Sequence, residues 1–310
     1  MISGIINVNK EAGYTSFDVV ALLRGITRQK KIGHTGTLDP DATGVLPVCF
    51  GAATKLCDYL TDKVKEYEAT FKLGIETDTQ DISGEVISKK DVTMVDITNK
   101  DAFISRDKLK ECIMSFVGKI EQIPPMYSAI KVDGKKLYEL AREGKEIERK
   151  PRHVELTDIS IKSIEYPYVT FSVACSKGTY IRSLCRDIGE KLGCGATMEH
   201  LLRTRVSTFE LCGAMKLDEI RALYDAGRID ERILPVEKVF EDLPVRTVSI
   251  EAKKKIDNGN PLGINDFTEA VDEGTDSRLR VHNAEGKFVA VYLYDANKGM
   301  YMPVKMFMEG

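Results

Sequence analysis

The run GHTGTLDPDATGVLPV, residues 33–48, gathers groups that could do chemistry. Asp39 stands between Leu38 and Pro40, with Asp41 two residues on. Asp39, Asp41 and Thr43 followed by Gly44 have the outline of a calcium loop. Pro40 stiffens it, however, and the twelfth position is Phe50 where a bidentate glutamate is needed, so calcium is rejected. A phosphate cradle of the form GxxxxGK followed by serine or threonine is absent. With four histidines in the chain, no Ser-His-Asp order is legible. What remains is one carboxylate in a stiff loop. Gly33 and Gly36 permit tight turns, and Pro40 biases Asp39 towards an extended backbone. Two readings stay open on local sequence: an aspartate held in place for chemistry, or an Asx turn in which the side chain bonds its own backbone.

The elements that must carry this loop are legible around it. Residues 4–10, GIINVNK, read as a strand. TSFDVVALLRGI reads as a helix capped by Thr15 or Ser16, with Val19, Val20, Leu22 and Leu23 apolar. EYEATFKLG alternates like a half-buried strand with Tyr67, Ala69, Phe71 and Leu73 on one side, and GEVIS is expected to pair with it after the turn TDTQDISG. RDKLKECIMSFVG (106–118) is predicted as an amphipathic helix ended by Gly118. HVELTDISIKSIEY and YVTFSVACS are strands. GTYIRSLCRDIGEKLG is a helix stopped at Gly193, with Arg182 and Arg186 one turn apart. LLRTRVSTFEL is a strand and LDEIRALYDAG a helix. Between them, residues 123–152 form a Pro-Pro turn, a strand, a short helix and a basic tail. Eight basic residues oppose five acidic ones from Lys131 to Arg152, which suits either an extended surface arm or a solvated helical excursion. From about Val245 short strands and turns predominate.

Composition narrows the class. The 310 residues are 43% hydrophobic and 30% charged, enough for a real core in a soluble chain. The net charge of −3 argues against gripping nucleic acid with the whole surface, not against a local basic face. Seven scattered cysteines without CxxC spacing read as small buried thiols and give no zinc site. No apolar run is long enough for a bilayer and MISGIINVNK lacks the features of a signal peptide, so a cytoplasmic location is expected.

KIGHTGTLDPDATGVLPVCFGAATKL (31–56) resembles the signature segment of the TruB family of tRNA pseudouridine-55 synthases. The likeness continues through KEYEATFKLGIETDTQDISGEV, IPPMYSAIKVDGKKLYELAREG and CSKGTYIRSLCRDIG, and so covers nearly all of the first 210 residues. RVHNAEGKFVAVY is similar to the core of a PUA domain. The fold this implies is α+β: a mixed, mainly antiparallel sheet with flanking helices over residues 1–242, with an RNA-clasping insertion at about 123–152, then a small PUA-like β-barrel over 243–310.

The resemblance also implies roles. The family turns one uridine of the tRNA T-loop, position 55, into pseudouridine with no cofactor and no metal. Asp39 matches the catalytic carboxylate, Arg182 the arginine that favours its charged form, and Tyr67 the active-site aromatic that can stack on uracil. Tyr180 and Leu201 match pocket-lining residues. His34 matches a histidine that fills space among the bases once the target has left the stack. Lys135, Lys136 and Arg142 of the arm would meet phosphates, with Lys10 joining that basic surface. Thr197 departs from the larger residue common at its position. The acidic run NDFTEAVDEGTD is expected to face away from RNA. The implied partner is tRNA alone, bound by a monomer without guide RNA or membrane. A guide-RNA-dependent subunit and a non-catalytic tRNA-remodelling protein are the rival readings.

Overall fold

The computed structural model describes residues 2–92, 104–132, 134–271 and 277–308. The first half of the chain runs β1 (Gly4–Lys10), α1 (Ser16–Thr27), β2 (Ile32–His34), β3 (Thr43–Phe50), α2 (Cys57–Thr61), β4 (Lys65–Leu73), β5 (Ile75–Thr77), β6 (Val86–Lys89), α3 (Arg106–Met114) and β7 (Gly118–Gln122). The arm follows as β8 (Lys131–Val132), β9 (Lys135–Lys136) and α4 (Leu137–Arg142). Then come β10 (Arg152–Glu165), β11 (Tyr168–Cys175), α5 (Ile181–Leu192), β12 (Ala196–Val206), β13 (Phe209–Glu210) and α6 (Leu217–Asp225). The C-terminal part holds β14 (Val245–Thr247), α7 (Lys253–Asp257), β15 (Arg278–His282), β16 (Phe288–Asp295) and β17 (Met300–Met306).

Nine strands make one sheet in the order β1-β3-β12-β4-β11-β10-β7, with β2 on β3 and β13 on β12. Only β3–β12 is parallel, which bears out the mixed, mainly antiparallel expectation. β4 is central and alternates strictly, burying Tyr67, Ala69, Phe71 and Leu73. Their neighbours across β11 are Val173 for Tyr67, Phe171 for Ala69 and Val169 for Phe71, so one face of the sheet is continuously apolar. Helices α3 and α5 cover it with Leu109, Ile113, Leu184 and Ile188. The face behind β1 and β3 is closed by α1 and α6 through Val19, Leu23 and Ile220. Each such side chain, fully buried, contributes about 1.5–3 kcal/mol relative to exposure.

Four expectations need correction. GEVIS does not pair with β4; β6 pairs with β5, because the chain turns at Gly74 (φ +81) before the strand resumes. The helix from Arg106 stops at Met114, where the Ser115 hydroxyl turns back to the Cys112 carbonyl, and Gly118 (φ +111) opens β7. β3 is a strand that the sequence does not announce, because Pro47 weakens a strand reading; the Pro47 carbonyl still accepts from Thr35 N–H at 3.2 Å. The C-terminal strands form an open sheet in the order β14-β15-β16-β17, with no closed barrel among the described residues. β14 is three residues long and runs parallel to β15, and single bridges join Val248 to Phe267 and Leu262 to Tyr301. Five cysteines are buried as expected, whereas Cys57 is half-buried and Cys212 exposed. Part of the acidic run, residues 272–276, lies outside the described residues.

Candidate active site

The loop between β2 and β3 is held from every side. Thr15 caps α1: its hydroxyl accepts from Asp18 N–H (3.0 Å), while the Asp18 carboxylate accepts from Thr15 N–H (2.8 Å). The next residue, Ser16, is fully buried and its hydroxyl accepts from Leu38 N–H at 2.8 Å, which ties the loop to the helix one residue before Asp39. Beneath the loop, Lys10 Nζ donates to the carbonyls of Ala42 (2.6 Å), Pro40 (2.9 Å) and Glu11 (3.0 Å). An ammonium has three donors, and all three are used. Arg203, on β12, reaches the Val45 carbonyl with Nε (2.7 Å) and the Gly36 carbonyl with Nη2 (3.1 Å), so it spans both ends of the loop. At Gly44 (φ +102) a Cβ would lie 2.2 Å from the Arg203 carbonyl; only glycine lets β12 come this close.

Lys10 therefore does not belong to a basic surface. It is fully buried, and burial lowers its pKa to about 8, which still leaves it charged at neutral pH. It serves the loop rather than a phosphate.

Asp39 does not make an Asx turn. The turn is closed by backbone, Ala42 N–H to the Asp39 carbonyl at 3.1 Å, and this frees the carboxylate. That carboxylate meets Arg182 side-on, Nε to Oδ2 at 3.0 Å and Nη2 to Oδ1 at 3.2 Å. Arg182 is buried at the start of α5, while Asp39 keeps 40% of its side-chain surface open. The same guanidinium donates to the Thr79 carbonyl (Nη1, 3.0 Å) and the Tyr127 carbonyl (Nη2, 2.8 Å), and its Nη1 lies 3.4 Å from Asp81 Oδ2. Its planar fork thus joins the Asp39 loop, the turn at 78–85 and the root of the arm.

Loss of hydration raises the Asp39 carboxyl above its ordinary value; the Arg182 guanidinium opposes the rise and the Asp81 carboxylate adds to it. Arg182 acts in the expected direction, but the net shift is upward.

Tyr67 lies opposite Arg203 in the β4–β12 register and is almost wholly buried. Burial raises its phenol above the usual range, so it stays neutral. Leu201, opposite Ala69, packs half-buried against the same apolar face. Tyr180 precedes α5 and is half-buried. Gln122 holds it by two reciprocal bonds: Tyr180 N–H to Oε1 (2.7 Å) and Nε2 to the Tyr180 carbonyl (3.0 Å). His34 Nδ1 accepts from Gly36 N–H at 3.2 Å, and burial lowers the imidazole pKa, so the ring is neutral at pH 7. Thr197 is fully buried and its hydroxyl pairs with that of Thr77 at 2.9 Å; it belongs to the sheet interior.

The arm touches this cluster at its root, through the Tyr127 carbonyl on Arg182, while its predicted cations bond within the arm. Lys135 is exposed and paired with Glu143 (3.2 Å), and Lys136 and Arg142 flank the Tyr138 ring at 5.3 and 5.5 Å. The residues that sequence reasoning missed are Asp81, Gln122 and Arg203. Among the described residues no group of three or more His, Cys, Asp or Glu could hold a metal ion, and no helix is long and apolar enough to cross a membrane.

The sequence model of the TruB family pseudouridylate synthase N-terminal domain matches residues 24–181, which include the whole Asp39 loop. The chain belongs to the TruB family of pseudouridylate synthases. The model of the tRNA pseudouridylate synthase B C-terminal domain follows directly over residues 182–241. A protein named tRNA pseudouridine synthase B from Lachnoclostridium phytofermentans is 50% identical, with 99% of this chain and 100% of that protein covered. Another of that name, from Bacillus subtilis, is 41% identical over 100% of this chain and 99% of its own length. A solved chain from an H/ACA ribonucleoprotein bound to a substrate RNA containing 2′-deoxyuridine superimposes with a TM-score of 0.71, at 25% identity, covering 99% of this chain and 85% of that one. One from an archaeal box H/ACA small ribonucleoprotein gives 0.69, at 26% identity over 99% and 86%. As a TruB-family member the protein is a pseudouridine synthase.

Proposed function

We propose that the protein isomerises uridine 55 in the T-loop of tRNA to pseudouridine, with Asp39 as the catalytic residue. The N1–C1′ bond breaks, uracil rotates, C5 bonds to C1′, and the proton lost from C5 is balanced by one gained at N1. Nothing is oxidised or reduced and no cofactor is called for. The observation that carries the reading is the bidentate Asp39–Arg182 pair, with one partner buried and the other open at the surface. An ionised Asp39 can attack C6 or C1′ or take a sugar proton; all three need the charged form. Tyr67, Tyr180 and Leu201 contribute aromatic and apolar surface for a base drawn out of its stack, and His34 stands at the loop's entrance. The division we propose is a catalytic unit over 1–242 and an RNA-binding PUA-like unit over 243–310. The second matched family domain ends at residue 241, in keeping with it.

The structural likeness to H/ACA ribonucleoprotein chains favours a second reading, a subunit that works with a guide RNA. Full-length identity of 41–50% to proteins named tRNA pseudouridine synthase B favours the stand-alone form, a cytoplasmic monomer acting on tRNA. Purified protein, incubated with an unmodified tRNA transcript and no other RNA, is expected to place pseudouridine at position 55, mapped by chemical probing. Modification that appears only after a guide RNA is added would overturn the stand-alone reading; tight binding without any modification would support the remodelling one.

For the arm, Ala at Lys135, Lys136 and Arg142 together is expected to weaken tRNA binding. It should also flatten the salt dependence of log K by about 0.7–0.9 for each phosphate that is no longer neutralised. An unchanged slope in binding titrations across salt concentrations would take the phosphate role away.

A further inference from the structure

Ten of the phenylalanines lie in described positions, and one of them has an exposed side chain: Phe17, at 67%. It sits in the first turn of α1, which buries Val19, Val20, Leu23 and Ile26 and leaves Leu22 exposed at 36%. Its ring meets the His34 imidazole edge-on, centroids 5.1 Å apart and planes at 83°. Its position relative to Asp39 is set by rigid parts. The preceding residue, Ser16, bonds the backbone of Leu38, and His34 bonds the backbone of Gly36, so both rings are anchored to the loop that carries Asp39. Tyr14, 39% exposed, lies just ahead of the same helix.

We propose that Phe17 is a nucleobase-stacking site, taking an unpaired base of the RNA substrate adjacent to the target uridine, with His34 as its side wall. The inference rests on the pseudouridine synthase reading and adds a binding residue to it. An open phenyl face beside a site that must accept unstacked bases offers a π surface to any of the four bases. The T-shaped contact fixes the tilt of the ring and engages at most one of its faces, and the side chain stays 67% exposed. The occupant is RNA rather than protein because the ring is continuous with the Asp39 loop. The imidazole beside it is neutral, with Nδ1 already used, and leaves Nε2 for the edge of a base.

The test is equilibrium binding of an unmodified tRNA transcript to the full-length protein, with single-turnover pseudouridine formation followed on the same RNA. Phe17→Ala is expected to weaken binding about tenfold, the size of one base stack. Its salt slope should remain that of the parent, unlike the arm variant, and its turnover at saturating RNA should be unchanged. Phe17→Trp should restore affinity; Phe17→Leu, apolar but without a π face, should not. Parental affinity in Phe17→Ala, or full restoration by leucine, would overturn the stacking site while parental turnover leaves the isomerase reading standing. A parent protein that forms no pseudouridine, yet shows the Phe17 pattern in binding, would sink the isomerase reading and keep the stacking site.

Discussion

Asp39→Ala is expected to lower pseudouridine formation on the order of 10⁴-fold, the scale seen when a reacting group is removed from an otherwise intact site. Binding of tRNA should survive, or tighten, since the change removes a negative charge from a surface that faces a polyanion. The structure explains why the two effects separate. The loop is held by Lys10 through the carbonyls of Pro40 and Ala42, by Arg203 through those of Gly36 and Val45, and by Ser16 through Leu38 N–H. None of these bonds uses the Asp39 side chain. Arg182 would still donate to Thr79 and Tyr127 and face Asp81, so its charge is not stranded. Asp39→Asn is the sharper companion: it keeps the shape, loses the charge, and should be as inactive as alanine. Both are read by single-turnover assays with pseudouridine quantified by mass spectrometry. Near-parental turnover in either variant would remove Asp39 from the chemistry.

Much of this site is legible in the sequence because its exposed part sits in one contiguous loop. Asp39 between Leu38 and Pro40, the alternation around Tyr67, and the helix after Tyr180 all carry local signals. The supporting residues carry none. Lys10 reads as a surface cation, since lysine is almost never fully buried unless paired. Its partners are backbone carbonyls 30 and 32 residues away, which no side-chain pattern advertises. Arg203 is hidden in the same way inside a strand. Gln122 ends a plain strand, and its bonds go to the backbone of Tyr180, 58 residues on. The fold shows the same division. Period-two alternation marks β4, β10 and β11, whereas it says nothing of which strands pair. The sequence order points β6 to the wrong neighbour, because adjacency is a weak guide once a glycine turn redirects the chain. Barrel closure is likewise invisible, since it depends on whether the outer strands meet.

Arg182 and Asp81 make opposing predictions that a loss of activity alone cannot mimic. Asp39 must be ionised to react, and its pKa in the fold is raised, chiefly by lost hydration. Activity is therefore present at higher pH and falls as pH drops through that raised value. The Arg182 guanidinium opposes the rise, so Arg182→Met should move the acidic limb of the single-turnover profile to higher pH. It also removes the fork that orients the carboxylate, and the plateau rate should fall about 10²–10³-fold, as when other electrostatic partners are removed. Arg182 is buried and also holds the Thr79 and Tyr127 carbonyls, so thermal melting must accompany the assay. Asp81 raises the Asp39 pKa as a like charge. Asp81→Asn should therefore move the acidic limb to lower pH, even as it slows the reaction by loosening Arg182 Nη1. Asp81 also accepts from the hydroxyls of Thr79 and Ser83, so asparagine, which keeps one carbonyl oxygen, is the substitution that least disturbs the turn. Two variants that both slow the reaction yet displace its pH dependence in opposite directions would identify Asp39 as the titrating group. Displacement in the same direction, or no displacement in either, would mean that the group whose ionisation limits the reaction lies elsewhere.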